Sequence, residues 1–245
     1  MLKPTAWDAL HPEKEHDTIM KKMDHLEVPE NLQRNSHEVR DAGFENTAQT
    51  LIDLAKKATG FDCLENIDIL DVGCGVRFTM TIINRSIPIR SYTGLEVDQA
   101  LVDFLQSQVE PYDDRFCFER WNAHNEMYNK NGVKMQPSDL LPFTKPFDLI
   151  WLFSVFTHLC PDDAAVLLAL LRKHVKPNGK LLFSTFIDDD LEGFDDRVPD
   201  SPLLNAYYGR KYMEKIVIGN GWKIDSFNDK ELHNWIQHYI VCSPA

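Results

Sequence analysis

What this chain lacks narrows its roles first. No apolar stretch approaches the roughly 20 residues needed to cross a bilayer, so no membrane-spanning role is expected. The five cysteines (Cys63, Cys74, Cys117, Cys160, Cys242) are odd in number and far apart, with no C-x-x-C pair. Neither a disulfide framework nor a zinc site is expected. The histidines form no H-E-x-x-H or comparable ligand pattern, so no metal is expected. Positive charge is scarce: the net charge is −12, and basic residues gather only in pairs such as Lys56-Lys57, Arg172-Lys173 and Arg210-Lys211. An extended nucleic-acid footprint needs far more. Residues 1–11 hold no apolar signal core, and a cytoplasmic protein is expected.

What is present reads as a folded α/β chain. An apolar fraction of 43% beside 26% charged residues is ordinary for a protein with a real core. Residues 1–45 are polar, with helical spacing around Ile19, Met20, Met23 and Leu26, and are expected to form a helical cap. A helix is predicted over 47–58, stopped by Gly60, leading into the core or covering a ligand. Strands at 67–72, 90–96, 116–121, 149–153 and 181–187 alternate with helices at 78–84, 99–108 and 162–175. That alternation implies a parallel sheet with right-handed crossovers. A helix at 207–218 and strands at 222–227 and 235–242 would close a seven-stranded, mostly parallel, doubly wound sheet, its last strand antiparallel and helices on both faces. Residues 46–245 are read as one domain, with an acidic, turn-rich insertion near 188–205.

The most informative segment is Ile69-Leu70-Asp71-Val72-Gly73-Cys74-Gly75, followed by a strand that ends on Glu96. A strand, a glycine turn, a helix and an acid about 25 residues on is the arrangement that holds the ribose of an adenosine cofactor. Glycines let the backbone approach the ligand, and the carboxylate accepts from ribose hydroxyls. A dinucleotide fingerprint wants a third glycine, where this chain has Phe78, and no G-K-[ST] follows to make a P-loop. Asp71 is unsuited to a diphosphate and suits a ligand with a cationic amine, which points to S-adenosylmethionine.

With that turn goes a wider resemblance. ILDVGCG, YTGLEVD, FCFERWNAHNEMYNKNG, FDLIWLFSVFTHL and KHVKPNGKLLFSTFI together resemble the class I S-adenosylmethionine-dependent methyltransferases, over roughly residues 45–187 and in general order beyond. The SVFTHL and MYNKNG segments look like a bacterial branch acting on small molecules. The resemblance implies that Asp71, Gly73, Cys74 and Gly75 line the methionine side and that Glu96, with Val97, holds the ribose. It places Asn122 where many relatives carry an aspartate facing the adenine amino group, Ala123 against the adenine ring, and Phe153 and Ser154 at the methionyl group. Where relatives often have a further glycine, this chain has Val76-Arg77; Arg77 either reaches the cofactor carboxylate or crowds the pocket.

Each residue also has a plainer reading. Asp71 and Glu96 could be strand-end acids that cap helices, and Asn122 a turn residue. His158, just after the fourth strand, is the candidate base or substrate contact because imidazole titrates near neutrality; it could instead bond backbone. The acidic run 188–192 is a solvated turn or a lure for a cationic substrate. Tyr207, Tyr208 and Tyr212 are core-facing helical residues or an aromatic wall over the acceptor. The function expected is methyl transfer to a small-molecule acceptor at oxygen or nitrogen. A non-catalytic binding module, a methyltransferase acting on protein or RNA, and a nicotinamide-dependent enzyme are the alternatives. Nothing in the sequence reads out an oligomeric state.

Overall fold

A computed structural model describes residues 21–33, 43–228 and 236–245. The first helix, α1 (Phe44–Thr59), buries Ala48, Leu51, Ile52 and Ala55 along one face and ends on Gly60 in the left-handed conformation. Strand β1 (Asp68–Val72), helix α2 (Arg77–Asn84), β2 (Ser91–Glu96), α3 (Gln99–Gln108), β3 (Phe116–Arg120) and β4 (Phe147–Leu152) follow in alternation. After a 3-10 turn at Phe156–His158 come α4 (Pro161–Arg172), the long β5 (Val175–Asp188), β6 (Phe194–Asp196), β7 (Ala206–Gly209), α5 (Arg210–Gly219), β8 (Trp222–Asn228) and β9 (His238–Pro244).

The sheet runs β3-β2-β1-β4-β5, all parallel, and continues through β9 to β8. The last strand, β9, is antiparallel to both of its neighbours. These seven strands are the sheet the sequence predicts. Two further short strands are not: β7 extends the far end of β5 in parallel, and β6 pairs antiparallel with β7. The predicted helix at 207–218 therefore begins three residues later, at Arg210, and Tyr207 and Tyr208 lie on a strand. Burial overrides the helical spacing there: Tyr208 is fully enclosed and donates from its hydroxyl to the Leu159 carbonyl at 2.6 Å.

Period-two alternation explains the double winding. Ile69, Leu149 and Trp151 pack against α1, α2 and α3 on one face, while Leu70, Ile150 and Leu152 pack against α4 and α5 on the other. Residues 21–29 depart from expectation, since Met23 and Leu26 lie in an extended strap and residues 21–33 hold only a 3-10 turn at Glu30–Leu32. The backbone donors a helix would use are taken by side chains of the core: Lys21 and Met23 donate to Asp114 and Asp113, and Leu26 to Asn84. Ile19 and Met20 lie outside the described residues. Among the described residues, no helix is long and apolar enough to cross a membrane.

At the sheet's amino-terminal edge, Lys176 donates to both Asp68 and Asp148 at 2.7 Å, and Ser91 to Asp68 at 2.7 Å. Burial alone would raise the Asp68 carboxyl, but these bonds and the Lys176 and Arg90 charges outweigh it and hold it at about 2. A folded pKa below the ordinary 3.8 adds stability that is present above 3.8 and lost as pH falls toward 2. Lys176→Met is therefore expected to lower stability at neutral pH by about 1 kcal/mol, allowing for solvent screening. It should also flatten the wild type's loss between those two pH values. Urea midpoints at neutral and acid pH check this, and parallel pH curves for the two proteins would refute it.

Candidate functional site

A cavity of about 810 Å³ opens at the carboxyl ends of β1, β2 and β4, where open α/β sheets place their ligands. Its floor is the turn after β1. Gly73 has φ +70°, and a β-carbon there would sit 2.8 Å from Val155, so the turn has room for glycine alone. Gly75 has φ +50° and nothing within 4 Å of where its β-carbon would be. Bare backbone thus faces open space at the ligand side.

Glu96 ends β2 and folds back over this turn. Its Oε2 accepts from Gly75 N–H at 3.0 Å, and its Oε1 from Val97 and Asp98 N–H at 2.7 and 3.1 Å. The carboxylate thereby ties the end of β2 to the turn after β1, at the rim of the cavity. Asp98 caps α3 in turn, accepting from Ala100 N–H at 2.8 Å. Phe78 takes the place of the missing third glycine: it packs on Trp151 and Phe153 with ring centroids 5.1 and 5.2 Å apart, and α2 meets the sheet through rings instead of bare backbone.

Gly73, Cys74, Gly75, Glu96, Val97, Ala123, Phe153, Ser154 and His158, nine of the residues singled out from sequence, line the cavity together. Asp71 and Asn122 do not. Asp71 lies beneath the turn, 1% exposed, and its carboxylate accepts the Tyr92 hydroxyl. Burial pushes its pKa up to about 7; the Tyr92 bond and the Arg77 charge pull the other way, and the Glu96 charge adds to the rise. Cys74 is buried too, and burial first, then the Glu96 and Asp71 charges, push its thiol well above the ordinary range. The Asn122 side chain turns into its own loop, its carbonyl accepting from Asn129 at 3.1 Å and Arg120 at 3.4 Å.

Ser154 has φ +61°, a left-handed backbone unusual for a residue with a β-carbon and common at ligand sites. Its N–H donates to Ser184 Oγ at 2.8 Å, and Gln237 bridges the two hydroxyls, donating to Ser154 at 2.9 Å and accepting from Ser184 at 2.6 Å. His158 places Nδ1 3.0 Å from the Leu203 carbonyl. Burial lowers its pKa more than its backbone hydrogen bonds to Leu203 and Leu204 raise it, which favours the neutral ring.

Part of the wall comes from places no motif marks. Leu32, Phe44 and Thr47 approach from the amino-terminal side, Phe186 from β5, and Ile236 and Gln237 from the residues just before β9. Of these, only the helix from 47 onward was expected near the ligand. Arg77, the first residue of α2, also lines the cavity. Among the described residues its guanidinium makes a single hydrogen bond, 3.4 Å to Thr47 Oγ1, leaving most of its five donors for a ligand. Arg77 therefore does not crowd the space shut. The tyrosine wall is absent: neither Tyr207, Tyr208 nor Tyr212 lines the cavity, and Tyr207 stacks on Phe186 beneath Arg197. Two acids of the acidic run are already paired, Asp188 with Arg197 and Asp189 with Arg210.

A family described as a methyltransferase domain matches residues 36–239. The chain belongs to this family. It is thus a methyltransferase by family, and solved structures share its fold. A glycopeptide N-methyltransferase complexed with S-adenosylhomocysteine is 13% identical at a TM-score of 0.54, over 81% of this chain and 89% of its own. Magnesium protoporphyrin IX methyltransferase from Synechocystis PCC 6803, also with S-adenosylhomocysteine, is 15% identical at 0.56, over 87% and 90%. A TehB-like methyltransferase from Corynebacterium glutamicum is 14% identical at 0.50, over 84% and 100%. At these identities the likeness establishes the doubly wound fold.

Proposed function

We propose that the cavity binds S-adenosylmethionine and that the protein passes its methyl group to a small-molecule acceptor at oxygen or nitrogen. One observation carries the reading: Glu96 clamps the turn at Gly75 while bare backbone faces an 810 Å³ cavity. In this assignment Glu96 and Val97 hold the ribose, Ala123 meets the adenine, and Phe153 and Ser154 border the methionyl group. Asp71 braces the turn from beneath, its carboxyl accepting the Tyr92 hydroxyl, and its ionised form adds negative potential below the cationic end. Arg77 takes the carboxylate. The cofactor supplies a methyl group already activated on a sulfonium, so the chain's task is in-line positioning and exclusion of water.

A small acceptor is favoured by the enclosed cavity and the net charge of −12, which suits neither RNA nor DNA. The neighbours named for a glycopeptide and a porphyrin point the same way. The bacterial small-molecule branch and a cytoplasmic location are retained; the five free cysteines fit a reducing compartment.

Calorimetric titration tests the cofactor directly. Micromolar binding of S-adenosylmethionine and S-adenosylhomocysteine, with none of NAD, is the expected result. A folded protein that binds neither adenosyl compound would end the proposal.

A further inference from the structure

The segment between β5 and β7 has no part in holding the cofactor, yet it carries two unfavourable features. Leu203 has φ +59°, a left-handed conformation that is strained for a residue with a β-carbon. Asp196 keeps one carboxylate oxygen, Oδ1, buried with no hydrogen-bond partner, which is also costly. Both features converge on one contact. The other oxygen, Asp196 Oδ2, accepts the Leu203 N–H at 2.8 Å, and the Leu203 carbonyl lies 3.0 Å from His158 Nδ1.

A carbonyl only accepts, so Nδ1 carries the hydrogen, and in a neutral ring Nε2 is then the bare nitrogen. Among the described residues Nε2 has no hydrogen-bond partner, and the ring lines the cavity with Tyr128 edge-on at 5.9 Å. Just past the 3-10 turn that carries His158, the Leu159 carbonyl accepts the Tyr208 hydroxyl of β7, a second tie to this side of the fold. Local strain that persists is held by its surroundings and gathers at functional sites.

We propose that Asp196 is a positioning residue for His158: through the Leu203 carbonyl it holds the imidazole in the Nδ1–H form, with Nε2 presented to the cavity as a proton acceptor. What Nε2 receives rests on the methyl-transfer reading. The acceptor then carries a hydroxyl or a neutral N–H. Its oxygen or nitrogen bonds to the methyl carbon, the electron pair of the broken C–S bond stays on sulfur, and the proton passes to Nε2. The tautomer stands independently of that reading.

Long-range ¹H–¹⁵N spectroscopy of the full chain, labelled at histidine and kept above neutral pH, reads the tautomer without any acceptor. His158→Gln assigns the signals. In the wild type, Nδ1 is expected to show the protonated, pyrrole-type shift and Nε2 the pyridine-type shift, the reverse of the preference of free imidazole side chains in water. Asp196→Ala should lose that pattern. Asp196→Asn, whose amide oxygen still accepts from Leu203, should keep it. If Asp196→Ala does not fold, Asp196→Glu, which displaces the carboxylate by one methylene, should show the same loss. A wild-type ring protonated at Nε2, or an unchanged pattern in the variant that removes or displaces the carboxylate, overturns the proposal. Calorimetry with S-adenosylhomocysteine on the same samples separates the two questions. Binding beside a wrong tautomer sinks the positioning role alone, whereas no binding by the wild type sinks the cofactor reading alone.

Discussion

Replacing Glu96 with alanine is expected to weaken S-adenosylhomocysteine binding by about 100-fold or more, the loss of two or so charge-assisted hydrogen bonds. The carboxylate has two tasks, and the variant removes both. It would no longer accept from ribose hydroxyls, and the N–H groups of Gly75, Val97 and Asp98 would lose their common acceptor. Half-buried donors left unpaired cost less than the roughly 1–3 kcal/mol of fully buried ones, so the turn itself should loosen and thermal stability fall modestly as well. Glu96→Gln keeps one side-chain acceptor and should bind about tenfold more weakly than wild type. Calorimetry on the three proteins decides it. Equal affinity in wild type and Glu96→Ala would remove Glu96 from the site.

Arg77→Ala should divide two ligands that differ only in their amino-acid tail. S-adenosylhomocysteine, with its carboxylate, is expected to lose about 30- to 100-fold in affinity. Methylthioadenosine, which has no carboxylate, should bind as it does to wild type. The reason is the state of the guanidinium. Burial pulls its pKa down and the Asp71 charge beneath the turn pulls it up, while its one hydrogen bond, to Thr47, is long. A largely enclosed cation with so little pairing costs stability until an anion arrives. The same substitution should therefore leave the ligand-free protein as stable as wild type, or more so, in thermal melts. Parallel losses for both ligands would show that Arg77 shapes the pocket without reading the carboxylate.

Much of this architecture was legible along the chain because it is written in local periodicity. The run 99–108 carries apolar residues at helical spacing after an aspartate, and α3 occupies those residues with Asp98 as its cap. The apolar run at 149–153 becomes β4, buried on both faces between β1 and β5. The glycine turn and Glu96 were legible for another reason: their chemistry is backbone chemistry, and a positive φ or a strand-end carboxylate leaves a mark at a definite spacing.

Other parts were hidden because their partners lie far away in sequence. Asp71 reads as a site acid, but its neighbour Tyr92, 21 residues on, takes its hydrogen bond beneath the turn. The acids at 188 and 189 read as free charge until Arg197 and Arg210 are brought beside them. Tyr207 and Tyr208 read as helical until β5 supplies a strand edge for them to pair with. His158 shows the limit most plainly: the sequence marks a histidine after a strand, and only the chain's return at Leu203 decides which nitrogen carries the proton.

The sequence by itself determined the order of the seven main strands and the helices between them, the glycine turn and its acid, because each leaves a local pattern along the chain. The tertiary structure alone decided which of those residues face the cavity, which acids are already paired, and how the walls from α1, β5 and the residues before β9 close around it. Those depend on distance in space and on burial, and neither is a property of any single stretch of chain.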